Sequence, residues 1–113
     1  MTQYTATVVG MHFREREGVP AKAIVGNMLP GTQLRLEREP DNKFDVNAIK
    51  VFSTGNAGEH HIGYIEASVA CFVAYDMDDS EDVVCTVDSF EQKRNNLHPI
   101  VTIVIDEAGA EGP

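Results

Sequence analysis

The sequence has few cysteines, no tryptophan, and half as many basic as acidic residues. Its two cysteines, Cys71 and Cys85, lie in apolar segments, which is typical of inert core thiols in a reducing compartment and disfavours a disulfide. No apolar run approaches the roughly 18 residues of a membrane span, and the amino terminus lacks the features of a signal peptide. We therefore expect a cytoplasmic protein that does not contact a membrane.

The shortage of basic residues gives a net charge of -9, which argues against strong non-specific binding to a nucleic-acid backbone. The charge is unevenly distributed. Residues 1–52 carry seven basic and six acidic side chains, whereas residues 53–113 carry two basic and twelve acidic ones. The first half is therefore near neutral, and the second half carries the negative charge.

Patterns that support catalysis or metal binding are also missing. There is no arrangement of serine, histidine and acid, and no glycine loop that would cradle a phosphate. His60 and His61 are adjacent, so on a strand they point to opposite faces and cannot hold one metal together. The acidic run 76–82 lacks the glycine and the distal glutamate of a calcium loop. We expect no enzyme activity, no cofactor and no metal.

What the sequence does contain is a series of short apolar segments separated by turns. Its length and its 42% hydrophobic content predict one domain over residues 1–105, followed by a disordered acidic tail over 106–113. Side-chain patterns predict strands over 4–13, 33–37, 48–52, 60–65, 83–90 and 98–105, and a helix over 66–76. For residues 21–29, a helical turn and an irregular strand are equally good interpretations.

Several side-chain directions follow from these patterns. The second and third strands should pair antiparallel, with Ile49 and Val51 inward and Ala48 and Lys50 outward. Lys50 and Arg35 should then lie near each other on the outer surface, as a solvated face or as a groove that follows a nucleic-acid backbone. The helix should use an apolar face containing Val69, Phe72, Val73 and Asp76 to cover the strands, with Glu66 in its first turn.

The connection between those two strands, residues 40–47, consists largely of turn formers. Pro40 presets its own backbone dihedral, and the short polar side chains that follow can bond backbone amides two residues on; these are Asp41, Asn42, Asp45 and Asn47. Phe44 has no evident core to join, and the Asp45 carboxylate stands beside it. An aromatic ring suits an unpaired base, while a carboxylate repels an internal phosphate but accepts a hydrogen bond from a sugar hydroxyl.

Asp45 also has a structural interpretation, in which it only braces the loop. The two roles have equal weight, and they can coexist because a carboxylate has two oxygens. The pair of Phe44 and Asp45 therefore predicts a preference for the hydroxyl terminus of a strand over its middle.

These residues also match a known family. The run Arg38-Glu-Pro-Asp-Asn-Lys-Phe-Asp-Val-Asn-Ala-Ile-Lys-Val51, preceded by Gly31-Thr-Gln-Leu-Arg-Leu36 and followed by Gly63-Tyr-Ile65, resembles the HIRAN domain. The segment Val8-Val-Gly-Met-His-Phe13 resembles its opening strand, and the resemblance covers roughly residues 5–105. It implies a mainly β fold with one or two short helices, an OB-like six-stranded antiparallel barrel. It also implies capture of single-stranded DNA at a free 3′-hydroxyl end, in DNA repair or replication-fork processing.

The resemblance implies a set of contact residues as well. Phe44 and Phe13 would stack on the last bases, and Asp45 would accept the hydrogen bond of the 3′-hydroxyl. Candidate polar or phosphate contacts are His12, Tyr64, Lys43 and Arg38. His12 replaces a basic residue of the family, and a strand-end surface residue is its simpler interpretation. Relatives carry Lys or Arg just after the Gly-Tyr-Ile equivalent, whereas this sequence has Glu66 and Ala67, which removes one phosphate contact.

The start at Met1 and the short tail lead us to expect a complete, stand-alone prokaryotic or phage protein without a motor of its own. Such a protein would act with a helicase or nuclease in trans. The alternative function is an acidic interaction or inhibitor protein, which would use residues 76–82 to occupy a basic surface of a partner without binding DNA.

Overall fold

The structure is a computed structural model that describes residues 2–11, 18, 29–55, 58–79, 82–91 and 100–107. In this part of the chain, six antiparallel strands close into a barrel, and one complete helix packs against it. The elements are β1 (Thr2–Val9), β2 (Gln33–Arg38), β3 (Ile49–Gly55), β4 (Gly58–Ile65), α1 (Ala67–Asp78), β5 (Val83–Glu91) and β6 (Ile100–Glu107). Around the barrel the order is β1-β4-β3-β2-β5-β6. The predicted six-stranded antiparallel barrel is confirmed.

The barrel interior is aliphatic because every second residue of the strands points inward. Ile49 and Val51 are fully buried, as predicted, and β2 pairs antiparallel with β3. Ala48 is also buried, although we expected it to point outward. The alternation does not apply to Ala48, because β3 begins only at Ile49.

The last strand, β6, alternates between buried and half-buried residues. Val101, Ile103 and Ile105 fill the core. The strand continues to Glu107, beyond the domain end expected at residue 105, and this last residue pairs with both β1 and β5. Residues 108–113 and 21–28 lie outside the described residues, so the predictions for those segments stay predictions.

Strand β1 ends at Val9, not at residue 13 as its pattern predicted. Gly10 follows with a φ of 78°, a backbone conformation that glycine adopts without steric cost. Beside this point, Gly63 of β4 lies so close to β1 that an added Cβ would be 2.5 Å from the carbonyl oxygen of Val9 and 2.8 Å from Val8 Cγ1. Only glycine fits at position 63, and the close approach brings the ends of β1 and β4 together.

Helix α1 packs on the barrel through its small residues. Ala70, Val73 and Ala74 are fully buried, so the helix lies close to the strands. Phe72, which we expected on the buried face, is 59% exposed because it lies to one side of this alanine-lined seam. Cys71 is exposed as well, so the expectation of two core thiols is wrong for that residue.

The residue before the helix, Glu66, connects the helix to the first strand. Glu66 precedes the first turn instead of lying in it, and its Oε1 accepts a hydrogen bond of 3.0 Å from the backbone N–H of Thr7. Glu66 therefore ties the start of the helix to β1. Cys85 lies in the core, where burial raises the pKa of its thiol to about 12. Within the described residues, no helix is long and apolar enough to cross a membrane.

Candidate nucleic-acid interface

The loop that joins β2 to β3, residues 39–48, is folded into consecutive turns. At its base the Glu39 N–H donates to the carbonyl oxygen of Ala48 at 3.0 Å. The first turn is closed by a bond of 3.1 Å from the Asn42 N–H to the Glu39 carbonyl, and the second by a bond of 3.0 Å from the Ala48 N–H to the Asp45 carbonyl. The loop therefore has a defined backbone path.

Side chains within the loop reinforce this path. Asn42 Oδ1 accepts hydrogen bonds from the backbone N–H groups of Phe44 and Asp45, at 2.8 and 2.9 Å. Asp45 Oδ1 accepts a bond of 2.8 Å from the Asn47 N–H. Asn42 and Asp45 thus act as the turn formers that the sequence predicted, and they fix the two residues at the loop tip.

Phe44 projects from this tip with 96% of its surface exposed. Burying a phenylalanine side chain contributes roughly 1.5–3 kcal/mol, which this residue forgoes. The hydrogen-bonded backbone beneath it holds the ring out into solvent, where it forms an exposed platform.

The platform stands beside an open cavity of about 420 Å³. Three of the predicted site residues, Phe44, Asp45 and Tyr64, line this cavity together. The other walls come from the end of β1, the loop, the end of β4 and the start of α1; they are Val9, Gly10, Asn42, Ala48, Ile65 and Ala67. Most of the lining is apolar, so the cavity suits the flat face of a base or a sugar more than a charged group.

Asp45 is half-buried at the edge of this cavity. Its Oδ1 braces the loop, and its Oδ2 forms no hydrogen bond or ion pair with any residue that the structure describes. One carboxylate oxygen therefore has a structural role, and the other is available to accept a hydrogen bond from a ligand.

Glu39 connects the loop to the cavity wall. Its Oε1 accepts bonds from Asn42 Nδ2 at 2.6 Å and from the Tyr64 hydroxyl at 3.0 Å, while Oε2 pairs with Lys50 Nζ at 3.0 Å. The Asn42 bond, followed by those from Lys50 and Tyr64, lowers the pKa of Glu39, and the same carboxylate raises the pKa of Lys50. This role was not predicted from the sequence, although Lys50 lies on one of the two strands predicted to pair and Glu39 comes two residues after the predicted end of the other.

Arg38 lies behind the loop, with only 14% of its side chain exposed. It donates to the carbonyl oxygens of Ala48 and Val46 at 2.8 and 3.0 Å. Its Nε also donates to Asp78 Oδ1 at 2.9 Å and so lowers the pKa of that aspartate at the end of α1. The structure thus gives Arg38 a role in anchoring the loop to the helix, and the predicted phosphate contact stays a prediction.

The remaining predicted contacts are Lys43, His12 and Phe13. Lys43 is exposed in the loop next to Phe44, and it forms no ion pair or hydrogen bond with another described residue. Its ammonium group is therefore available to a phosphate. His12 and Phe13 lie outside the residues that the structure describes.

On the outer face of β2 and β3, the cationic side chains Arg35 and Lys50 are paired with glutamates, unlike Lys43. Arg35 pairs with Glu59 at 2.6 Å and with Glu37 at 3.1 Å, and its guanidinium lies 4.2 Å from the centre of the Phe52 ring. Lys50 is engaged by Glu39. A solvated, internally neutralised face fits these contacts better than a groove that follows a phosphate backbone.

Among the described residues, no group of three or more His, Cys, Asp or Glu side chains is placed to hold a metal ion. His61 instead packs against the rings of Phe52 and Tyr64, with centroid distances of 5.3 and 4.9 Å. His61 therefore supports the ring of Tyr64, which forms part of the cavity wall.

Comparison with known proteins completes the description. The sequence model of the HIRAN domain family matches residues 2–104 of this chain. The crystal structure of the HIRAN domain of human HLTF is 23% identical, covers 91% of this chain and 74% of its own, and superimposes with a TM-score of 0.61. The crystal structure of a protein from Lactobacillus plantarum is 24% identical in sequence and superimposes with a TM-score of 0.65. The match covers 91% of this chain and 92% of that protein. No curated protein matches the sequence.

Proposed function

Because this chain belongs to the HIRAN family of nucleic-acid-binding domains, we propose that it binds single-stranded DNA and recognises a free 3′-hydroxyl end. The observation that carries the proposal is the placement of Phe44, 96% exposed, beside an Asp45 carboxylate oxygen without a partner in the described structure, both on the rim of one apolar cavity. Exposed aromatic platforms bind unpaired bases by stacking, which contributes about 1–3 kcal/mol per base.

In this proposal, the last base of the strand stacks on Phe44 and its sugar enters the cavity. Asp45 Oδ2 accepts a hydrogen bond from the 3′-hydroxyl, while Tyr64 and the aliphatic walls contact the sugar and the base. Lys43 pairs with the phosphate on the 5′ side. The proposed contacts also include His12, Phe13 and Arg38, which are assigned only from the resemblance to the family.

The preference for an end follows from charge. A terminal hydroxyl donates a hydrogen bond to a carboxylate, whereas a 3′-phosphate or an internal phosphodiester would place a negative charge against another. Recognition therefore depends on the same acidic group that would be unfavourable in a protein that binds DNA along its backbone.

HIRAN domains are binding modules, and we assign no reaction to this one. We propose that the module marks 3′ ends in DNA repair or fork processing for a helicase or nuclease that acts in trans. Membership of a nucleic-acid-binding family favours this function over that of an acidic inhibitor without affinity for DNA.

The test is a titration of two labelled single strands of identical sequence, one with a 3′-hydroxyl and one with a 3′-phosphate, followed by fluorescence anisotropy at low salt. We expect the hydroxyl strand to bind at least about tenfold more tightly, since a hydrogen bond to a charged group contributes about 1.5–3 kcal/mol. Phe44→Ala should weaken binding about 5- to 150-fold through the loss of stacking.

Val84→Ala provides the matched control, since Val84 is an exposed apolar residue of β5 that does not line the cavity. It should bind both strands as the wild type does. Equal affinity of the wild type for the two 3′ termini would refute end recognition, and unchanged binding by Phe44→Ala would refute the platform.

A further inference from the structure

A second aromatic surface lies on helix α1, away from the cavity of Phe44. Phe72 and Tyr75 are 59% and 75% exposed, and they lie on one face of the helix because they are three positions apart. Tyr4 of β1 packs parallel to Phe72, with ring centroids 6.3 Å apart and planes inclined by 16°. This contact supports the Phe72 ring from one side, while the Tyr75 ring is largely open to solvent.

Two aspartates lie beside Tyr75 at the carboxyl end of the helix. A small open cavity of about 240 Å³ is lined by Tyr75, Asp78 and Asp79. Asp78 is paired with Arg38, whereas Asp79 forms no ion pair with any described residue. An aromatic face beside a free carboxylate is suited to an arginine or lysine side chain, which gains a cation–π contact and an ion pair at the same point.

We propose that the outer face of α1, formed by Phe72, Tyr75 and Asp79, is a docking surface for a basic segment of a partner protein. An arginine or lysine of the segment enters the cavity between Tyr75 and Asp79, and an adjacent apolar side chain packs on Phe72. Nucleic acid is a poor occupant, because the aspartates at the end of the helix repel phosphate.

This docking surface adds a function to DNA binding and does not depend on it. None of its three residues lines the cavity of Phe44 and Asp45, so we expect the two ligands to bind without competing. A basic segment is also what proteins that act on nucleic acid commonly expose.

The experiment uses the full chain and a labelled synthetic peptide that alternates arginine with leucine, with two control peptides: one has glutamate in place of arginine, and one has serine in place of leucine. Only the first peptide should bind, and its binding should weaken as salt is added. Tyr75→Ala should weaken it about fivefold, which corresponds to about 1 kcal/mol, and Asp79→Asn should weaken it as well.

Asp88→Asn serves as the matched charge control, because Asp88 is exposed on β5, away from the helix face. Phe44→Ala is the aromatic control and should leave peptide binding unchanged, while Tyr75→Ala should leave oligonucleotide binding unchanged. Circular dichroism of each variant checks that it is folded.

Three results would overturn the proposal. The first is no binding of the arginine–leucine peptide, or equal binding by the wild type and both helix variants. The second is a loss of oligonucleotide affinity in Tyr75→Ala, which would make the face part of the DNA site. The third is a concentration-dependent dimer that Tyr75→Ala dissociates, which would make it a contact between copies of this chain.

Discussion

At the scale of single residues, the two carboxylate oxygens of Asp45 differ in what they contact. Its Oδ1 completes a turn by accepting the Asn47 N–H at 2.8 Å, and its Oδ2 has no hydrogen-bond or ion-pair partner among the described residues. An asparagine keeps a carbonyl oxygen for the turn but loses the negative charge. The two roles can therefore be separated by substitution.

We expect Asp45→Asn to retain the stability of the wild type and to lose most of the discrimination against a 3′-phosphate, because the repulsive charge is gone. Asp45→Ala should lose the discrimination and also cost about 0.5–1.5 kcal/mol, since the loop hydrogen bond is removed. Urea denaturation and paired anisotropy titrations measure the two effects. Full discrimination in a folded Asp45→Asn variant would show that another group reads the terminus.

Gly63 is a second residue whose role can be measured directly. A Cβ at this position would lie 2.5 Å from the backbone oxygen of Val9, and a backbone atom cannot move aside as a side chain can. We expect Gly63→Ala to destabilise the protein by about 1–3 kcal/mol, as overpacking does. The midpoint of urea denaturation measures this. The exposed Thr5→Ala on β1 is the control, and a change within experimental error in both variants would contradict the packing argument.

At the scale of elements, the binding loop is held to its neighbours by charged anchors. Glu39 joins the loop to β3 through Lys50 and to β4 through Tyr64, and Arg38 joins it to α1 through Asp78. These contacts orient a loop that leaves its large apolar side chains, Phe44 and Val46, exposed to solvent. The charged state of Glu39 is therefore part of the architecture of the site.

The lowered pKa of Glu39 determines how this anchor responds to pH. The folded state favours the charged form, so its stabilising contribution is fully present above the ordinary glutamate pKa of about 4.3 and is lost as pH falls through the lower folded-state value. Glu39→Gln should weaken oligonucleotide binding severalfold at pH 7, because the loop loses the ion pair with Lys50 that ties it to β3. It should also remove the contribution of Glu39 to the loss of stability in acid.

Binding and denaturation between pH 3 and pH 7 test the expectation, with the exposed Glu91→Gln as the control. An identical loss of stability with acid in the wild type and in Glu39→Gln would contradict the assignment.

At the scale of the whole molecule, the net charge of -9 makes this an unusually acidic candidate for DNA binding. Most of the cations that the structure describes are paired internally, Arg35 and Lys50 on the strand face and Arg38 behind the loop. From the described part of the chain we therefore expect the proposed affinity to come from stacking and from recognition of the end, with little release of counterions.

Because little counterion release is expected, the affinity for DNA should depend only weakly on salt concentration. If Lys43 neutralises a single phosphate, the logarithm of the association constant should fall with the logarithm of salt concentration with a slope of about -0.7. Lys43→Ala should bring the slope toward zero while 3′-end discrimination persists. Titrations of the hydroxyl-terminated strand at several salt concentrations supply the slope. A slope several times steeper would indicate a basic surface that tracks the backbone.

The sequence by itself determined the strands, the position of the helix and the shape of the binding loop. These features depend on interactions over a few residues. Burial alternates along the strands, and the side-chain oxygens of Asn42 and Asp45 accept hydrogen bonds from backbone N–H groups two residues away. The exposure of Phe44 was also predictable, because a rigid polar turn offers a ring no interior to enter.

Only the tertiary structure decided which distant residues share the site. Closure of the barrel brings Val9, Ile65 and Ala67 beside the loop, and it sets Arg38 against Asp78, which is 40 positions away. It also turned Phe72 outward, because the alanines beside it pack more closely on the barrel than a phenyl ring can. Such contacts depend on how strands curve and helices dock, and no local pattern in the sequence specifies them.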